Sequence, residues 1–223
     1  MKRTPLKERA LPNYTLGEEK ANMITHIVGG GIGIVFAVIA IILSAFSKNA
    51  FAIVSCCVYT FTIISLYTMS SVYHGLKKST AKKVLQVIDH CTIYFFIAGT
   101  YTPILLVSIR PGHPVAAWVV FGVEWVCTFT AATLTAIDLK KYNVFSLACY
   151  ILMGWCIIAI LKITIQAITL KGFAWLLAGG IFYTIGAVLY CIGPKRKFFH
   201  TVFHLFVDIG SILHAICIIE FVL

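Results

Sequence analysis

Seven long apolar blocks separated by short polar links constrain this chain more than any other feature. They cover roughly Ala21–Phe46, Ala50–Tyr73, Val84–Val107, Val115–Ile137, Val144–Leu161, Gly172–Cys191 and Phe198–Leu223. A helix needs about 17–25 largely apolar residues to cross a bilayer, and each block is in or near that range. The fifth is ambiguous. Lys162 and Gln166 interrupt an apolar stretch that continues to Leu170, which fits one tilted helix or a helix followed by an interfacial turn. Soluble packing is a poor alternative. Hydrophobic residues make up 60% of the chain and charged residues 12%, against about 25% charged in soluble domains. Lipid admits only helices and closed barrels, and blocks of this length select an all-α, polytopic bundle of seven transmembrane helices. A single domain over residues 21–223 is expected, preceded by a polar tail, residues 1–20.

The charges set an orientation. The formal net charge of +10 would suggest nucleic acid in a soluble protein, but here the basic residues sit between apolar blocks. Lys77, Lys78, Lys82 and Lys83 fill the second link, Lys140 and Lys141 the fourth, and Lys195, Arg196 and Lys197 the sixth. Lys2, Arg3, Lys7, Arg9 and Lys20 lie in the tail, whereas the other face carries only Lys48, Arg110, Lys162 and Lys171. The positive-inside rule then predicts a cell-membrane protein with a cytoplasmic N-terminus and an extracytoplasmic C-terminus, which requires an odd number of crossings. The tail has no signal-peptide apolar core, so the first helix is expected to direct insertion. The eight cysteines lie in or beside apolar blocks without a C-x-x-C pair and read as small apolar fillers.

Polar groups at membrane depth are expensive and generally face the protein interior. Three clusters stand out: Ser70, Ser71, Tyr73 and His74 at the end of the second block, Asp89 and His90 near the start of the third, and His200 and His204 at the start of the seventh. H-x-x-x-H on a helix presents two imidazoles on one face, suited to a divalent metal. The predicted topology brings His74, Asp89, His200 and His204 to one cytoplasmic depth. Three His on two helices could hold Zn2+ with one open position. Asp89 could bind the water there or orient a ligand, and Ser70 could hydrogen-bond to Asp89 or to the water. The plainer alternatives are His side chains snorkelling to the interface, an Asp89 helix cap and serines that pack helices. His26 is expected at the interface, with an approach to the same site as the alternative, His214 in a hydrogen bond within the bundle, His113 in an outer link, and Glu124 and Asp208 as buried carboxylates, with Asp208 one turn deeper than His204.

The stretches EEKANMITHIVG, SSVYH, the Asp of VIDH, GTYTP at Gly99–Pro103 and HTVFHLFVDIGSILH together resemble the hemolysin III-type (membrane homeostasis) proteins of the progestin and adipoQ receptor superfamily, which includes the adiponectin receptors. The resemblance covers nearly the whole chain. It implies seven helices with a cytoplasmic N-terminus, and zinc held by His74, His200 and His204, with Ser70 nearby and Asp89 acting through a water. Asp208 departs from the pattern, which has an apolar residue there. Two functions are expected to compete: a zinc-dependent intramembrane hydrolase of a lipid amide or ester, with Asp89 and Ser70 in its machinery, and a non-enzymatic sensor or regulator of membrane state with structural zinc. A pore-forming, cytolytic role is a third reading, and ion transport through Glu124 and Asp208 a weaker fourth. Membrane lipids are the expected partners.

Overall fold

A computed structural model describes residues 4–193 and 196–223; Lys2, Arg3 and Lys195 of the basic links lie outside them. Among the described residues the chain is helical throughout: α1 Leu16–Phe46, α2 Ala50–Gly75, α3 Thr80–Pro103, α4 Pro114–Ile137, α5 Asn143–Trp155, α6 Leu161–Ile192 and α7 Phe199–Phe221. Each start has a local cause. Thr15 and Glu18 form a reciprocal capping box ahead of α1, Asn49 accepts from the Phe51 amide, and Ser79 accepts from the Lys82 amide. Pro114 opens α4, where its missing N–H leaves no bond unmade. The first helix thus begins at Leu16, ahead of its apolar block. The third begins at Thr80, so Asp89 lies inside a helix and caps nothing.

Among the described residues, six helical runs are long and apolar enough to cross a membrane. One of them, Asn143–Ile192, has 50 residues and would extend about 75 Å if straight, more than twice a hydrocarbon core. It is not straight. Residues 156–160 tighten into a 3-10 turn, and Thr169 has φ 66° and ψ 166°. Trp155 Nε1 donates to Thr184 Oγ1 at 2.9 Å, although a straight helix would hold them about 43 Å apart. Thr169 lies midway between them, so the chain doubles back there, and its hydroxyl accepts from the Gly172 amide to cap the returning arm. The ambiguous fifth block therefore continues in helix to Ile168 and ends in a reversal.

Helix α1 packs on α2 and α7, α2 on α3, α3 on α4, and α6 on α7, with α5 touching α3, α4 and α6. The α3 run is the most enclosed, with 72% of its apolar window buried. Its close contact with α2 requires Gly99, where a Cβ would collide with the Thr62 side chain. Beyond Pro103 the run relaxes into a π turn, Ile104–Ile109, sealed by Arg110 N to Leu105 O at 2.8 Å.

The tail is a strap across one end of the bundle. Thr4 N donates to Asp138 Oδ2 at 2.9 Å, Arg9 Nη2 donates to the Ile137 carbonyl at 2.7 Å, and Lys83 Nζ donates to the Lys7 carbonyl at 2.5 Å. Arg9 thereby satisfies a terminal carbonyl of α4, an orphan acceptor at the negative end of the helix dipole.

The amides of Thr4 and Lys141 hold the Asp138 carboxyl down at about 2, below the ordinary Asp value of about 3.9. This contribution is therefore complete above that ordinary value and is lost as pH falls through about 2. The expected outcome is a strap that stays docked from neutrality to about pH 4 and loosens only in stronger acid. Asp138→Asn should loosen it at neutral pH. Amide hydrogen exchange of residues 4–13, corrected for its intrinsic pH dependence, checks both.

Candidate metal centre

Three imidazoles converge under the strap. His74 comes from the last turn of α2, and His200 and His204 from the first turns of α7. Their ligand-capable atoms all lie within 4.8 Å of one another. The Nε2 atoms of His200 and His204 face each other at 3.1 Å, close to the roughly 3.3 Å that separates two nitrogens bound tetrahedrally at about 2.0–2.1 Å.

The hydrogen bonds behind two of the rings fix the tautomers. His204 Nδ1 lies 3.1 Å from the Asn22 carbonyl. A carbonyl only accepts, so Nδ1 carries the proton and Nε2 presents a lone pair. His74 Nδ1 lies 2.7 Å from Glu19 Oε2, which again places the proton on Nδ1. His74 Nε2 is buried with no hydrogen-bond partner, a costly state for a polar atom and one that a bound metal would relieve. A carboxylate or carbonyl behind a ligating imidazole is the usual arrangement at metal sites. These three residues could hold a metal ion.

Glu19 does more than orient His74. Its Oε1 lies 2.7 Å from Lys82 Nζ, and Lys82 is only 2% exposed. The ammonium also donates to the Leu76 carbonyl at 2.9 Å. Lys82 therefore does not behave as a link charge; it is enclosed, with its charge matched by Glu19. Glu18 anchors the other side, accepting from the Phe198 amide at 3.0 Å just ahead of α7. Asn22 Oδ1 accepts from Thr201 Oγ1 at 2.5 Å. The first two turns of α1 thus brace both ligand-bearing helices.

Asp89 and Ser70 line a cavity of about 150 Å³ that His200 and His204 also border. The cavity runs inward between α3, α5 and α6, with walls that include Ile97, Tyr101, Trp155, Leu176 and Tyr183. Asp89 is not among the residues whose atoms converge on the candidate ion. Its nearest basic neighbour is His90, with Nδ1 3.9 Å from Oδ2, and His90 is itself engaged by the Gln86 carbonyl at 2.8 Å. The sequence placed His74, Asp89, His200 and His204 at one depth, and all four lie at this end.

Other sites fall differently. His26, expected at the interface, is buried and stacks on His204 at 3.6 Å between ring centroids. His214 Nε2 donates to the Leu176 carbonyl at 2.9 Å, as expected of a bundle hydrogen bond. His113 is exposed ahead of α4. Glu124 is buried, with neither carboxyl oxygen in a hydrogen bond.

The residues 14–215 match the family described as haemolysin-III related, a stretch that spans every side chain of the centre. The chain belongs to the haemolysin-III related family. It is 35% identical to Hemolysin-3 of Bacillus cereus over 206 residues, with 92% of each chain covered. It is 32% identical to the Hemolysin-3 homolog of Bacillus subtilis, covering 92% of this chain and 95% of that one. Similarity extends to the human Monocyte to macrophage differentiation factor, at 28% identity over 95% of this chain and 87% of that protein. This supports placement among the hemolysin III-type members of the progestin and adipoQ receptor superfamily, as a multi-pass membrane protein.

Sequence reasoning missed three residues of this haemolysin-III type centre: Glu19, Lys82 and Tyr14. Tyr14, at the end of the strap, stacks on His200 with centroids 5.1 Å apart and rings inclined by 26°; its burial raises its phenol pKa. The signal for Glu19 was present. Thr15-x-x-Glu18 is a capping-box pattern that starts α1 one turn early, and that register aims Glu19 at α2.

Glu19→Gln should weaken metal retention by about 10–100-fold, the usual cost of losing an outer carboxylate, and leave Lys82 without its counter-charge. Competition against a chelator of known affinity measures the first effect. Thermal unfolding without metal measures the second.

Proposed function

We propose that this is a zinc protein of seven transmembrane helices, with the N-terminus in the cytoplasm, that hydrolyses an amide or ester bond of a membrane lipid. Support for seven crossings comes from the reversal at Thr169, which divides the 50-residue run into two arms. Support for the orientation comes from the concentration of basic residues at the end that carries the strap. Imidazole donors suit zinc, copper, iron or nickel; zinc is favoured by three nitrogen ligands that leave one position open.

The observation that carries the catalytic reading is Asp89. Its carboxyl faces the same cavity as His200 and His204, close to the ligands without being one of them. Bound zinc would supply a Lewis acid that polarises a carbonyl and acidifies water. The chain supplies the rest. Asp89 would accept the proton released as water attacks and return it to the leaving amine or alcohol. Ser70, which lines the same cavity from α2, would orient that carboxyl. The apolar cavity would take the acyl chain, and the strap with Tyr14 would close the polar mouth against bulk water.

A second reading, in which zinc is structural and the protein senses membrane state, has its own support: the three ligands join α2 to α7, and Glu19, Glu18 and Asn22 brace both against α1. The pore-forming reading gains no comparable support from the geometry.

Purified protein in lipid nanodiscs, assayed on a panel of lipid amides and esters, separates the two. Hydrolysis should fall by about 10²–10⁴-fold in Asp89→Asn, the range for a lost general acid–base, with zinc content unchanged, and His204→Ala should lose zinc and activity together. Zinc-loaded wild type inert on the whole panel, but losing thermal stability on zinc removal, would leave the structural reading standing.

A further inference from the structure

Below the metal centre lies a second polar site that the proposed hydrolysis does not use. Asp208 is one turn beyond His204 on α7, is nine-tenths buried, and its Oδ1 has no hydrogen-bond partner. It faces a small space of about 10 Å³ between α1, α2 and α7, about the room that one water or one small ion needs. Tyr67 of α2 and Ser211 of α7 border the same space. Tyr67 donates its hydroxyl proton to Ser211 Oγ at 2.8 Å, and Tyr183 meets the same Oγ at 2.9 Å. With its proton so placed, Tyr67 Oη has lone pairs to offer.

Charge balance narrows what can sit there. A lone carboxylate buried in an apolar bundle is costly unless a positive charge compensates it. Among the described residues bordering the space there is no Lys, Arg or His. The His26 ring meets the Tyr67 ring edge-on, with centroids 5.2 Å apart, and does not border the space. A divalent ion would leave one positive charge in excess on a single carboxylate. A monovalent cation balances it, and hard oxygen donors of this kind suit an alkali ion. The small volume favours sodium over potassium. The surrounding backbone is shaped to leave the carboxylate its place: a Cβ at Gly29 would collide with Asp208 Oδ1 and with the Tyr67 ring.

We propose that Asp208, with the hydroxyl oxygens of Tyr67 and Ser211, binds one sodium ion between α1, α2 and α7. The site is independent of the zinc reading, since none of its donors is among the three imidazoles. The sodium ion ties α7, which carries His200 and His204, to the α1–α2 pair beneath the centre.

The test uses the purified full-length chain in detergent, with zinc content fixed. Thermal unfolding is followed in increasing sodium chloride, with choline chloride holding ionic strength constant, and binding of radioactive sodium is measured by equilibrium dialysis. The unfolding midpoint should climb steadily with sodium, as for any ligand of the folded state, and more weakly with potassium. Asp208→Asn, close to isosteric, should abolish both sodium binding and the sodium-dependent climb while keeping the zinc content of wild type. Ser211→Ala should shift the sodium dependence to higher concentration. Equal stabilisation by sodium, potassium and choline would overturn the proposal, as would an absence of bound sodium, which would mean that the proton is the cation at Asp208. Sodium binding that survives Asp208→Asn would also overturn it.

Discussion

The Glu19 carboxylate is the interaction on which the polar end of this molecule depends. One oxygen holds His74 in the tautomer that leaves Nε2 free, and the other neutralises a lysine that is almost wholly enclosed. Neither partner could be buried there alone: an unmatched ammonium or an unsatisfied imidazole nitrogen inside a bundle costs far more than a surface ion pair returns. The bridge in turn requires α1 to begin at Leu16, which the Thr15–Glu18 capping box ensures. A local helix-start signal is thereby linked to the geometry of a site formed by two other helices.

From that anchor the structure can be followed inward as a gradient of polarity. At the strapped end, charges are paired and backbone acceptors are capped by Arg9, Lys82 and Lys83. Beneath lie the imidazoles and Asp89, then a cavity with mostly apolar walls, and beside it the Asp208 pocket. Deeper still, buried hydroxyls such as Thr100, Thr102 and Thr164 return their protons to carbonyls four residues earlier, so they add no unsatisfied group where water is absent. Such layering suits chemistry on a molecule that is polar at one end and apolar along the rest.

Much of this was legible in the sequence, for identifiable reasons. Block length fixes helices in a lipid solvent, and the periodicity of H-x-x-x-H places His200 and His204 on one face. Alternating basic links brought His74 and Asp89 to the same end as that pair. What could not be read depended on packing between helices. His26 looks interfacial because it follows Glu18 and Glu19, yet α1 turns it onto the His204 ring. Lys82 sits in a lysine-rich link and resembles its neighbours, but a start at Thr80 turns it inward to Glu19. The reversal at Thr169 carries no Gly or Pro at the break itself, and it shows in the Thr169 dihedrals and in the approach of Trp155 to Thr184.

In the proposed centre, His74, His200 and His204 would hold zinc with their Nε2 lone pairs directed at the ion. Zinc analysis combined with X-ray absorption spectroscopy at the zinc edge, on protein purified without added metal, tests it most directly. Stoichiometric zinc is expected, surrounded by nitrogen and oxygen neighbours at about 2.0–2.1 Å, with imidazole scattering and no sulfur at about 2.3 Å. Substoichiometric zinc that added metal does not raise, or a sulfur-containing shell, would contradict it.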